Sequence, residues 1–256
     1  MRSLLAFAAA AAFTAPLAAS GADAPAPVKV LRHLVYDVTY SARTTHVVKS
    51  SGFNSGYGGG TPTQSDSGVA AGSGAASQYM NGDDRGKLTI DVIAAPEDGG
   101  LVVDTAFSGT ANPQPTTRVA VYADGRLSYD PAHPLAPATV RMLPLIARGF
   151  IAERDVAAGS TWSVPAPAPA KGSTTYKVQS SDGHLARIAI EGVWSVPGPT
   201  GFDESDQGVT TYATDVVSPV SYDLTARIHR ELGMDQSATT SAHLTATLVS
   251  DSMAKK

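Results

Sequence analysis

The chain has 256 residues, 43% of them hydrophobic and 16% charged, with a formal net charge of −4 and no cysteine. The length and apolar content suffice for a sizeable buried core. The charge balance carries no basic cluster that would favour nucleic acid or an anionic membrane surface, and the lack of cysteine excludes disulfide staples, a thiol nucleophile and thiolate metal ligands.

The first residues are Met1-Arg2-Ser3, an apolar run from Leu4 to Ala19, and Ser20-Gly21-Ala22-Asp23. A basic start, a short Leu/Ala/Phe segment and small residues at its end read as a secretory signal peptide over residues 1–22. The run contains Pro16 and is short for a membrane span. The expected location is therefore the periplasm or the extracellular space. Residues 23–29 read as an extended leader, and 30–252 as a single β-rich domain with no later membrane span.

The strand pattern begins at once. Leu34, Tyr36, Val38 and Tyr40 alternate with His33, Val35, Asp37 and Thr39, the period of a half-buried strand. Residues 50–78 are rich in Gly, Ser and Thr and too poor in apolar side chains to offset their ordering entropy, so they are expected to form a flexible insertion. Alternation resumes at Leu88, Ile90 and Val92, at Leu101, Val103, Thr105 and Phe107, and at Val119 and Val121. Asp124-Gly125 is expected to be a two-residue hairpin turn.

Residues 137–152 break the period. Val140, Leu143, Ala147 and Phe150 recur at helical spacing, and Pro144 is expected to kink or split the helix. Its broadly apolar face predicts burial against a sheet. Strands then return at Tyr176 and Val178, at Ala186, Ile188, Ile190 and Trp194, from Val209 to Val217, from Val220 to Ile228, and from Ala238 to Leu248. Tyr36–Thr39 and Tyr222–Thr225 look alike, but any two alternating strands give such tetrapeptides, so no duplication is assigned.

About ten strands and one apolar helix imply a mainly β fold: a single curved antiparallel sheet, half-barrel-like or sandwich, covered by that helix. At the level of fold only, this resembles the half-barrels of periplasmic lipoprotein carriers and related envelope lipid-binding proteins. The likeness rests on export, strand number and one apolar helix in a sheet, with no motif residue to carry over.

No motif specifies a reaction. The six histidines form neither an HxH nor an HExxH pair, so solvent-facing roles are expected rather than metal ligation. A Gly-x-Ser-x-Gly elbow is absent, and a hydrolase stands third among the readings. Asp83-Asp84 and Asp203-Glu204-Ser205-Asp206 lack a Ca²⁺ loop pattern and read as solvated turns. Gly58-Gly59-Gly60 has no following Lys-Ser/Thr and is not a phosphate loop. No cofactor is called for.

The leading expectation is a non-enzymatic envelope protein that binds a lipid or other hydrophobic ligand between sheet and helix. Val140, Leu143, Ile146 and Phe150 would line that site. Arg141 and Arg148 would be snorkelling charges at the helix edge or would meet the head group of an amphiphile. The alternative is a structural or interaction module, without a ligand, that pairs with another envelope protein. The space between helix and sheet separates the two: open for a carrier, filled for a module.

Overall fold

The computed structural model describes residues 29–253 apart from 49–81, 98, 131, 148–149, 152–155, 167–168, 200 and 234–235. The proposed signal peptide and the insertion at 50–78 lie outside the described residues.

Eleven strands form one antiparallel sheet: β1 (Arg32–Val48), β2 (Gly82–Ala94), β3 (Leu101–Phe107), β4 (Gln114–Val121), β5 (Leu127–Ser128), β6 (Thr161–Pro165), β7 (Lys171–Ser181), β8 (Leu185–Val196), β9 (Phe202–Ala213), β10 (Ser218–Gly233) and β11 (Gln236–Asp251). Their spatial order is β5-β4-β3-β2-β1-β11-β10-β9-β8-β7-β6. The first and last strands meet in the middle, and each wing is a meander running out to an edge. The sheet is curved and open, and the single helix among the described residues, α1 (Pro137–Ile146), lies in the connection from one edge strand to the other.

Alternation decides which face is covered. Leu34, Tyr36, Val38, Tyr40 and Ala42 of β1 are buried, as are Leu88, Ile90 and Val92 of β2 and Tyr222, Leu224, Ala226 and Ile228 of β10. These residues apart from Ile228 form one continuous core with the buried side chains of α1 and Phe150 after it. Most of the intervening side chains are polar and face water, which is how an antiparallel sheet with one wet face distributes its residues. At the centre, Arg32 forms a two-pronged ion pair with Asp251 (3.1 and 2.5 Å) and also donates to the carbonyl of Val217, so the start of β1, the end of β11 and the β9–β10 turn are locked together.

Several sequence expectations are corrected. The helix ends at Ile146 rather than 152, with Ala147 already extended. Pro144 sits inside it without ending it; Phe150 lies beyond it, in a turn whose N–H donates to the carbonyl of Ala147 (3.0 Å). Residues 209–217 are not one strand. β9 begins at Phe202, residues 214–217 turn, and β10 starts at Ser218. The short edge strands β5 and β6 were not anticipated. Asp124-Gly125 belongs to a three-residue loop: Tyr122 and Arg126 pair across it at 2.9 Å, with Gly125 at φ +85°, a conformation that favours glycine.

Asp84 was expected in a solvated turn. It is in β2, faces inward and is 4% exposed. Its carboxylate accepts from the backbone N–H groups of Arg85, Ala111 and Asn112 and from the Thr110 hydroxyl, at 2.8–3.1 Å, so it shapes the loop after β3. Burial works against its charged form, but those donors outweigh burial and hold the carboxyl below its usual range. Asp84→Asn replaces an acceptor-only group with one that must also donate, and should cost roughly 1–3 kcal/mol in denaturant unfolding at neutral pH. A lowered native pKa contributes stability above the ordinary carboxylate range, and that stability is lost as pH falls. The variant should lose less stability on acidification than the wild type.

Candidate functional site

The helix is short, and its 10 residues span only about 15 Å, too few to be stable without tertiary contacts. Three attachments position it in the concave face. At its start, Pro137 supplies a φ suited to the first turn, and no side chain caps the helix. The Gln114 amide of β4 accepts from the N–H of Ala136 and donates to the carbonyl of Pro134, fixing the entry loop. At its end, the Tyr212 hydroxyl of β9 donates to the carbonyl of Leu145 (2.7 Å), one of the terminal carbonyls a helix leaves unpaired. Beyond it, Phe150 packs on Tyr176 (5.0 Å), Tyr212 (5.1 Å) and Trp162 (5.7 Å), while Trp162 and Tyr176 stack on each other. Burial pushes the Tyr176 phenol up to about 12 and raises Tyr212 further, so both are neutral, and Tyr212 serves as a hydrogen-bond donor.

The third attachment is ionic. Arg141 donates to Asp206 (2.7 Å) and to Glu204, both on β9, with the Trp194 ring of β8 lying 5.8 Å from the guanidinium. The Glu204 and Asp206 side chains are 0% and 2% exposed and that of Arg141 18%. Gly192 leaves space for Asp206, since a Cβ there would stand 3.1 Å from the Asp206 Cβ. Burial pushes the Asp206 carboxyl above its usual range, and the Arg141 guanidinium and the Trp194 indole only partly oppose this. The second Glu204 oxygen, Oε2, is buried without a hydrogen-bond partner. Two carboxylates thus share one guanidinium inside an otherwise apolar contact.

The sequence-predicted residues divide as follows. Leu143, Ile146 and Phe150 are buried, and Val140 is half-buried against the core. Arg141 is turned towards β9, where its charge is matched. Arg148 lies outside the described residues. Glu204 and Asp206 were missed, because acidic residues in sequence read as exposed. Two signals were available: the alternation of Phe202, Glu204 and Asp206 with Asp203, Ser205 and Gln207, and the need of an arginine on an apolar helix for a buried counter-charge.

Beside the start of α1 lies a cavity of about 110 Å³ lined by Val38, Tyr40, Phe107, Leu135, Ala136 and Pro137, among others. Small-molecule sites occupy roughly 300–1,000 Å³, so this space does not hold an acyl chain in the present position of the helix.

The histidines do not converge. His33 pairs with Asp91, His133 with Asp130, His229 with Glu231 and His243 with Asp223. Among the described residues no three His, Asp or Glu groups gather as metal ligands. Ser41 stands opposite His243, whose Nε2 meets Asp223 at 2.9 Å, but the row lies on the exposed outer face and no hydrogen bond links the serine to the imidazole. That arrangement lacks the activated nucleophile of a hydrolytic triad.

No protein-family model matches the chain, and no curated protein matches it.

Removing the guanidinium alone should be costly. Arg141→Met leaves two buried carboxyls without a counter-charge and should destabilise the fold by about 3–5 kcal/mol. The triple replacement Arg141→Met, Glu204→Leu, Asp206→Leu should recover most or all of that loss, because the desolvation cost of all three groups vanishes. Urea melts of the two variants check both statements.

Proposed function

We propose that this is an exported, non-enzymatic envelope protein whose concave sheet face binds a hydrophobic ligand such as a lipid or acyl chain, with α1 as the movable cover. The supporting observation is the way α1 is held. Its contact with the sheet is apolar except for the Arg141–Glu204–Asp206 cluster and the Tyr212–Leu145 hydrogen bond, and that cluster has an unsatisfied carboxylate oxygen. Buried ion clusters add little net stability compared with apolar packing. A cover held this way leaves the face by breaking a few directional bonds, and the apolar surface it uncovers suits an acyl chain.

Asp206 gives the cover a pH dependence. The groups around it are Arg141 on α1, Glu204 on the same strand, Trp194 on β8 and Tyr176 on β7. Protonating Asp206 removes half of the negative charge facing Arg141. Its raised native pKa contributes stability at acid pH, and that contribution is lost as pH rises through the shifted value.

A second reading is supported by the small cavity beside α1. If the helix is a permanent plug, the protein is a structural or interaction module in the envelope and carries no ligand.

Titration with the uncharged fluorescent probe N-phenyl-1-naphthylamine separates the two. The cover reading predicts saturable binding that weakens on mild acidification, because Asp206 holds a proton more tightly in the closed, buried site than in the opened, solvated one. Asp206→Asn, which mimics the protonated side chain, should show the weakened affinity already at neutral pH, about tenfold if the open fraction falls tenfold, and a flatter pH profile. No saturable binding by either protein would leave the module reading.

A further inference from the structure

The outer face of the sheet carries a second feature, remote in character from the apolar concavity. An open depression of about 620 Å³ crosses β7 to β10. Two cross-strand rows build it. Lys171, Ser195, Asp203 and His229 are successive partners in one, and Ser173, Val193, Ser205 and Arg227 in the next. Gly172, at φ +115°, brings β7 against β8 here, since a Cβ on it would stand 2.2 Å from the Val193 carbonyl oxygen. Ser195, Val193 and Ser205 lie along its middle, with Val193 71% exposed, and Trp194 and Glu204, whose side chains belong to the Arg141 cluster, also line it.

Among the described residues the surface cations fall into two groups, those held by an aspartate and those in no ion pair, the second including Arg85, Lys177 and Arg187 as well as Lys171 and Arg227. Arg43, Lys87, Arg118 and Arg126 are each paired with an aspartate. No ion pair among the described residues engages Lys171 or Arg227, which stand at opposite ends of the depression. Three strand spacings separate β7 from β10, roughly 14 Å. Between these cations lie the hydroxyls of Ser195 and Ser205 and the exposed carboxylate of Asp203.

We infer that this depression binds a small anionic, hydroxyl-bearing ligand, a sugar acid or sugar phosphate. Lys171 or Arg227 takes the anionic group, since a charge-assisted hydrogen bond is the strong contact available here. Asp203 and the serines take the hydroxyls. Asp203 accepts from hydroxyl donors and repels a second anion, which sets the polarity of the ligand. Val193 offers an apolar surface to the carbon face of a sugar ring. The volume lies within the range of small-molecule sites.

The test is isothermal titration and amide-resolved NMR of the full exported chain with glucuronate, glucose 6-phosphate, inorganic phosphate and glucose. Saturable shifts confined to β7–β10 are expected for the first two, with glucose and inorganic phosphate each at least tenfold weaker. Arg227→Ala and Lys171→Ala should each leave the melting temperature unchanged, since both side chains are on the surface, and the double variant should weaken glucuronate at least tenfold. The inference is overturned if no acidic sugar saturates, if glucose or inorganic phosphate binds as tightly as the acidic sugars, or if the double variant binds like the wild type. Trp194 and Glu204 belong to both regions, but Lys171 and Arg227 do not touch Arg141, so these variants leave the concave-face reading to the apolar probe.

Discussion

The structure depends on one constraint: an open sheet with an apolar concave face must be covered, and the chain must also return from one edge to the other. The β1–β11 pair lies at the centre, so the chain leaves the first wing at β5 and re-enters at β6 on the far edge. A curved sheet brings those edges closer together and creates the concavity the return must cross. One segment meets both needs. With α1 in the concavity, Met142, Leu143, Leu145 and Ile146 fill the space over the strands, and the sheet presents its polar alternate residues to water.

The connection is held to both wings by different chemistry. On the first wing, Gln114 secures the loop that leads into the helix. On the second, β9 supplies a hydrogen bond to the helix end through Tyr212 and an ionic contact to its middle through Glu204 and Asp206. The aromatic group around Phe150 adds a packed anchor past the helix. The ionic contact contributes position more than stability: apolar residues in place of Arg141, Glu204 and Asp206 together would pack as well but would not define where along β9 the helix rests. On the proposed reading, the same cluster is the part of the attachment that a proton on Asp206 tightens.

Much of the fold was legible because burial imposes a strict period. The β1 alternation from Leu34 to Tyr40, its counterpart in β10 and the apolar 137–152 segment were sufficient to place a curved antiparallel sheet under a helix. What escaped notice escaped for physical reasons. β5 has two residues and β6 five, ending in Pro165, so neither is long enough to display a period. The helix was overrun because Phe150 continues the apolar spacing, although the backbone has already turned extended at Ala147. β9 was misplaced because Glu204 and Asp206 occupy buried positions with side chains that normally face water. Their role depends on Arg141, some sixty residues away in sequence, and such a pairing is fixed by topology rather than by local pattern. The outer depression was equally hidden, since it draws single residues from four strands.

The central claim is that α1 leaves the concave face when an apolar ligand arrives. Amide hydrogen exchange of the helix with and without saturating N-phenyl-1-naphthylamine measures this directly. If the account holds, the amides of residues 138–143 and 145–146 exchange faster in the bound protein, while those of β9 and β10 keep or increase their protection. Unchanged or slower exchange in the helix at saturation would contradict it, and would mean that the helix is a fixed part of the core.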